Sequence, residues 1–146
     1  MATVLEILNT KGYKVYSVSP SDTILHSLQL MAEVQIGAVL VMEGEKVVGI
    51  FSERDYARRG TLQGNQVTTT IKNVMTREVY YVGPDQSVEA CLAQMTDKHI
   101  RHLPVLKENK VIGVISIGDV VKTLIKDQKE LIEGLENYIL GRQFTQ

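Results

Sequence analysis

Residues Val15–Arg58 and Val79–Lys122 are two writings of one pattern, and they overlay without a gap at an offset of 64 residues. Identical pairs run from Val15/Val79, Tyr16/Tyr80, Val18/Val82 and Pro20/Pro84 through Leu28/Leu92, Met31/Met95 and Ile36/Ile100. They continue with Val41/Val105, Lys46/Lys110, Val47/Val111, Gly49/Gly113, Ser52/Ser116 and Asp55/Asp119. Repetition on this scale replaces one unknown domain by two small related ones. Most shared positions are core or turn types, but the last three form one phrase, Gly-x-x-Ser-x-x-Asp.

A lone copy of about 60 residues is marginal, whereas a 146-residue chain can bury roughly two thirds of its unfolded surface. The two copies are therefore expected to share a core. Sixteen Lys and Arg against seventeen Asp and Glu leave no long-range field to recruit nucleic acid or an anionic membrane. The start, Met1 to Lys11, has Glu6 and polar residues where a signal peptide needs a positive leader, and no run approaches about 18 apolar residues. A soluble, cytoplasmic protein is expected. Cys91 is the single cysteine, which excludes an intrachain disulfide and reads as a buried thiol.

Ile24, Leu25, Leu28, Met31 and Ile36 recur at helical spacing, as do Val88, Leu92, Met95 and Ile100. Pro20-Ser21-Asp22-Thr23 and Pro84-Asp85-Gln86-Ser87 precede them with proline and capping side chains. Strand-type stretches follow at Ala38–Met42 and Val47–Phe51, and at Leu103–Leu106 and Val111–Ile115, with hairpin turns between. A second helix comes next, over Glu53–Arg59 or somewhat longer and over Ile117–Lys126. The expected fold is α+β, two strand-helix-strand-strand-helix units. The divisions are residues 1–62 and 71–127 for the two repeats, 63–70 for a polar linker, and 128–146 for an appended amphipathic helix. Ile71 to Thr76 resembles Val4 to Thr10 with a small length difference. The apolar stripe Leu131, Ile132, Leu135, Tyr138, Ile139, Leu140 needs a cover, from the repeats themselves or from a second subunit.

Each Gly-x-x-Ser-x-x-Asp phrase runs off a strand into a helix. One reading is a capping box, with the Ser hydroxyl on an N3 amide and the Asp reaching back to the N-cap amide, contributing about 1 kcal/mol without any ligand. The other uses the same geometry: phosphate beside the serine at the helix start, and ribose hydroxyls on the carboxylate.

The paired phrases, the Val-x-x-Val-x-Pro openings at Val15 and Val79, and His99-Ile100-Arg101-His102-Leu103-Pro104-Val105 together resemble a tandem pair of CBS domains, a regulatory unit also called a Bateman module. The resemblance implies a sandwich with pseudo-two-fold symmetry and two clefts that bind an adenine nucleotide (AMP, ADP or ATP), sometimes NAD or S-adenosylmethionine. Carried over, one cleft uses Ser52 and Asp55 with Tyr80, Ile100, Arg101, His102 and Pro104. The other uses Ser116 and Asp119 with Tyr16, Ile36, Gly37 and Ala38. Arg54, Arg58 and Arg59 flank Asp55 in the sequence, and the resemblance sets Arg101-His102 opposite it, whereas Gly37-Ala38 and Ile117-Gly118 occupy the corresponding places at Asp119. The Asp55 cleft should therefore prefer more phosphate charge. Tyr16, Tyr80 and Tyr81 are open to a core role or to stacking on adenine, and His26, His99 and His102 have no spacing for a metal site.

No nucleophile with an adjacent base, no paired catalytic carboxylates and no Walker-type loop is present, so a non-catalytic module is expected. The leading reading is a nucleotide sensor that pairs as a homodimer and acts on a separate effector protein. The alternatives are an NAD-binding regulator and a purely structural dimerisation or adaptor module.

Overall fold

The computed structural model describes residues 2–141. The first repeat holds β1 (Ser17–Val18), α2 (Ile24–Val34), β2 (Ala38–Glu43), β3 (Lys46–Ser52) and α3 (Glu53–Asp55), preceded by α1 (Val4–Lys11). The second holds α4 (Val88–Lys98), β4 (His102–Lys107), β5 (Lys110–Ser116) and α5 (Ile117–Ile139). This is the α+β pair of repeats that the duplication predicts. Thr23 and Ser87 cap α2 and α4, each hydroxyl accepting an N3 amide. Both helices end on a residue in the left-handed region, Gln35 and His99, again 64 apart. The β4–β5 hairpin turns through Glu108-Asn109, both at positive φ, which suits a two-residue loop.

The repeats differ at their first strand. β1 pairs parallel with β2, and the Leu40 amide donates to the Tyr16 carbonyl at 3.3 Å. In the second copy Pro104 stands where Leu40 stands in the first, and proline has no amide hydrogen. The ladder shrinks there to one bridge, Val82 to Val105. The expected strand of the second copy is lost for that reason.

The core is also partitioned differently from the expectation of one shared interior. One buried cluster contains Val18, Ile24, Met31, Val41 and Phe51 together with Ile71, Val74 and Met75. The other contains Val88, Cys91, Met95, Leu103 and Ile115 together with Val4, Ile7 and Leu8. Each cluster is thus closed by the segment that precedes the other repeat. The Val4 amide donates to the Gln86 carbonyl and the Leu5 amide to Pro84, while Ile71 donates to Asp22 and Lys72 to Pro20. Acceptors are 64 apart but donors 67 apart, so the stretch before the first repeat carries three extra residues.

This exchange accounts for the repeated glycines. A Cβ on Gly113 would lie 2.6 Å from Leu8 Cδ2, and one on Gly49 would lie 2.5 Å from Met75 Sδ. The leading segments press onto the hairpins at the glycines of the motif, and a side chain there would collide with them.

Two helices depart from the expected boundaries. The helix after Ser52 is α-helical only through Asp55 and continues as a π-helix over Tyr56–Thr61, with Gly60 close under the Tyr56 ring. The helix expected to stop at Lys126 and the one expected over 128–146 are a single α5, because Asp127-Gln128-Lys129-Glu130 contains no breaker. Residues 142–146 of that expected helix lie outside the described residues.

Candidate functional site

Both motifs form the capping box in full. Ser52 Oγ accepts from the Asp55 amide at 3.2 Å, and Asp55 Oδ2 accepts from the Ser52 amide at 3.0 Å. Ser116 Oγ accepts from the Asp119 amide at 3.1 Å, and Asp119 Oδ2 accepts from the Ser116 amide at 2.8 Å. The first helical amide of each is held by the preceding loop, Glu53 donating to Gly37 and Ile117 to Arg101. These bonds lock each serine and carboxylate in place before anything binds.

Beyond the caps the two acids part company. Asp55 Oδ1 accepts from Thr76 Oγ1 at 3.0 Å, and the Arg59 guanidinium donates to both Thr76 Oγ1 and the Met75 carbonyl. Ser52 Oγ also donates to Asp55 Oδ2 at 3.1 Å. A carboxylate has about four acceptor sites, so a fourth partner fits, and rotation of the Ser52 hydroxyl towards a phosphate would release another.

Asp119 instead meets a cation. Lys11 Nζ stands 2.6 Å from Asp119 Oδ2 and donates to the Val114 carbonyl at 2.9 Å. Burial works to raise the Asp119 pKa, but the Lys11 ammonium and the Ser116 amide outweigh it and hold the carboxyl below its ordinary range. Lys11 was not among the residues expected at the site. It lies in the stretch with three extra residues, where the gapless alignment of the repeats had not begun.

A cleft of about 480 Å³ lies over the first motif. It gathers Ser52, Arg54, Asp55, Arg58, Tyr80, Ile100, Arg101 and His102, the residues expected together, along with Arg59 and Thr76. Gly37 and Ser116, assigned to the opposite cleft, also line it, and a Cβ on Gly37 would meet His102 Cε1 at 3.6 Å. Residues 37 and 102 therefore meet where the repeats face each other. Tyr16, Ile36, Ala38, Asp119 and Pro104 are not in its wall. Ala38 and Pro104 are buried in their strands, and Tyr16 and Ile36 pack on the first cluster. A larger concavity of about 640 Å³ lies along the hairpin turns and takes in Pro104 and Tyr81, but no motif side chain reaches it.

The Asp55 cleft carries four arginines against the carboxylates of Glu53, Asp55 and Glu78. Burial lowers the His102 pKa, with Lys11 and Arg101 adding to the effect and Asp119 opposing it. Together these surroundings favour the neutral imidazole. Tyr80 donates its hydroxyl to Glu78 at 2.8 Å, and Lys98 Nζ sits 5.3 Å from its ring centroid. Among the described residues no group of three or more His, Cys, Asp and Glu stands together as a metal site, and no helix is long and apolar enough to cross a membrane.

Known proteins resemble this chain in sequence and in fold. The sequence pattern of the CBS domain matches residues 4–60 and 71–126. A mitochondrial CBS domain-containing protein of Arabidopsis thaliana, CBSX3, is 32% identical over 149 residues, covering 95% of this chain and 72% of the plant protein. The structure of a protein from Burkholderia ambifaria, described as signal-transducing with CBS domains, is 46% identical with a TM-score of 0.83, covering 87% of this chain and 96% of that one. At 22% identity and a TM-score of 0.76, the CBS domain pair of protein MJ0100, solved in complex with 5′-methylthioadenosine and S-adenosyl-L-methionine, has the same fold; 87% of this chain and 98% of that one are covered. The chain belongs to the CBS domain family and carries the domain twice.

Proposed function

We propose that this protein is a non-catalytic regulatory module that binds an adenine nucleotide, AMP, ADP or ATP, in the Asp55 cleft. The observation that carries the reading is the convergence on one 480 Å³ cleft of a locked serine–carboxylate pair and of Arg54, Arg58, Arg101 and His102 from both repeats. The volume falls within the roughly 300–1,000 Å³ of small-molecule sites. Asp55 would accept from the ribose hydroxyls, Ser52 would turn its hydroxyl to the phosphate, and the guanidiniums would take the remaining charge. Adenosine-containing ligands on a CBS pair of the same fold lend support. Nucleotide binding would shift the packing between repeats or between paired modules by its differential affinity for the two states, and a separate effector chain would read the change.

The test is thermal unfolding of the parent and of Asp55→Asn with AMP, ATP, NAD and S-adenosylmethionine, since a ligand selective for the native state raises apparent stability. An adenine nucleotide should raise the parent's melting temperature and leave the variant unmoved. Equal shifts in both, or none with any compound, would overturn the proposal, and a shift with NAD alone would favour a dinucleotide.

A further inference from the structure

The second half of α5 leaves the body of the protein with its apolar side uncovered. Leu131, Ile132, Leu135, Tyr138 and Ile139 are 63, 55, 52, 81 and 76% exposed, and among the described residues none after Val120 is buried. The repeats do not supply the cover that the sequence demands. An apolar face this continuous marks an association surface.

Its pattern says what kind. Val121, Ile125, Gln128, Ile132, Leu135 and Ile139 are spaced alternately by four and three residues, the seam of a two-helix coiled coil, with isoleucine at every seventh position. One flank of the seam is apolar, Leu124, Leu131 and Tyr138, and the other is charged, Lys122, Lys129 and Glu136. In a parallel pair unlike flanks meet, which would set Lys129 and Glu136 against leucines. In an antiparallel pair like flanks meet, so the apolar flank covers itself and Lys129 meets Glu136 of the second helix, twice by symmetry.

We infer that α5 pairs antiparallel with α5 of a second copy of this chain, Ile132 of each lying against Leu135 of the other. In this register Lys129 faces Glu136; a slip by one heptad would bring Lys129 against Lys129. The inference deepens the pairing invoked in the proposed function and does not depend on nucleotide binding, so the two fail separately.

Disulfide trapping tests it. Each mixed chain carries one of the two new cysteines and Cys91 is buried, so a bridge between positions 129 and 136 must join two chains. Mixed Lys129→Cys and Glu136→Cys chains should form a covalent dimer on mild oxidation, and neither variant alone should. In sedimentation, Lys129→Glu should weaken dimerisation roughly tenfold by setting like charges together at both symmetric contacts, and Lys129→Glu with Glu136→Lys should restore it. A monomeric parent, no bridge on mixing, a bridge equally strong in Glu136→Cys alone, or a Leu135→Glu variant that dimerises like the parent would each overturn the inference.

Discussion

Lys11 and Asp119, 108 residues apart in the sequence, form an ion pair of 2.6 Å on the carboxylate of the second motif, whereas Asp55 in the first has, beyond its bonds to Ser52, the neutral Thr76 hydroxyl at 3.0 Å. Beyond its cap, one acid meets a cation and the other a hydroxyl. Lys11 lies in the stretch that carries three extra residues ahead of the first repeat, and its pairing has a measurable stability signature.

Removing the ammonium with Lys11→Met should cost about 0.5 to 1 kcal/mol near neutral pH, a modest figure because both side chains are partly solvated. The Asp119 pKa is lowered in the folded state, so its contribution is present above the ordinary carboxyl value of 3.8 and is lost as pH falls through the lowered value. Melting curves of parent and variant should therefore differ from pH 5 to 7 and converge in strong acid. A gap that persists below the lowered value would mean that packing of the lysine stem, not the ion pair, sets the difference.

Gly113 should resist any side chain because buried Leu8 fills the space in front of it. Gly113→Ala should destabilise by about 1 to 3 kcal/mol. In a Leu8→Ala background, which itself costs about 2 to 5 kcal/mol, the same change should cost markedly less. Urea unfolding of the four chains gives the coupling, and additive effects would argue against the contact.

Charge selectivity in the Asp55 cleft should depend on Arg101. Arg101→Ala should weaken ATP binding by about tenfold or more while changing AMP affinity less, since a charge-assisted hydrogen bond contributes about 1.5 to 3 kcal/mol. His102 begins with a lowered pKa and would gain a proton beside a polyphosphate, so ATP affinity should rise as pH falls from 8 towards 6, and His102→Gln should flatten that slope. Titration calorimetry in buffers of different ionisation enthalpy measures the proton uptake directly.

Burial pushes the Cys91 thiol up to about 11, and its side chain is enclosed in the second cluster. A disulfide reagent at pH 8 should react with it only on global unfolding, at a rate that rises with denaturant. Fast labelling of the native protein would show that α4 opens locally.

Periodicity, the doubled proline-and-cap signals and the repeated Ser-x-x-Asp phrase determined by themselves the two α+β units and the place of each serine–carboxylate pair at a helix start, while the basic character of the cleft at Asp55 came from the resemblance to the CBS pair. These are signals read within one element or between copies at a constant offset, so a linear chain displays them. Tertiary structure alone decided that Val4 to Leu8 closes the second repeat and Ile71 to Met75 the first, that Lys11 lands on Asp119, and that Gly37 and Ser116 border the cleft of the other motif. Such outcomes rest on packing between segments up to about a hundred residues apart, whose complementarity is one of shape and volume and leaves no period to read. The uncovered stripe of α5 stands between the two: the sequence required that something cover it, and only the fold showed that the chain's own repeats do not.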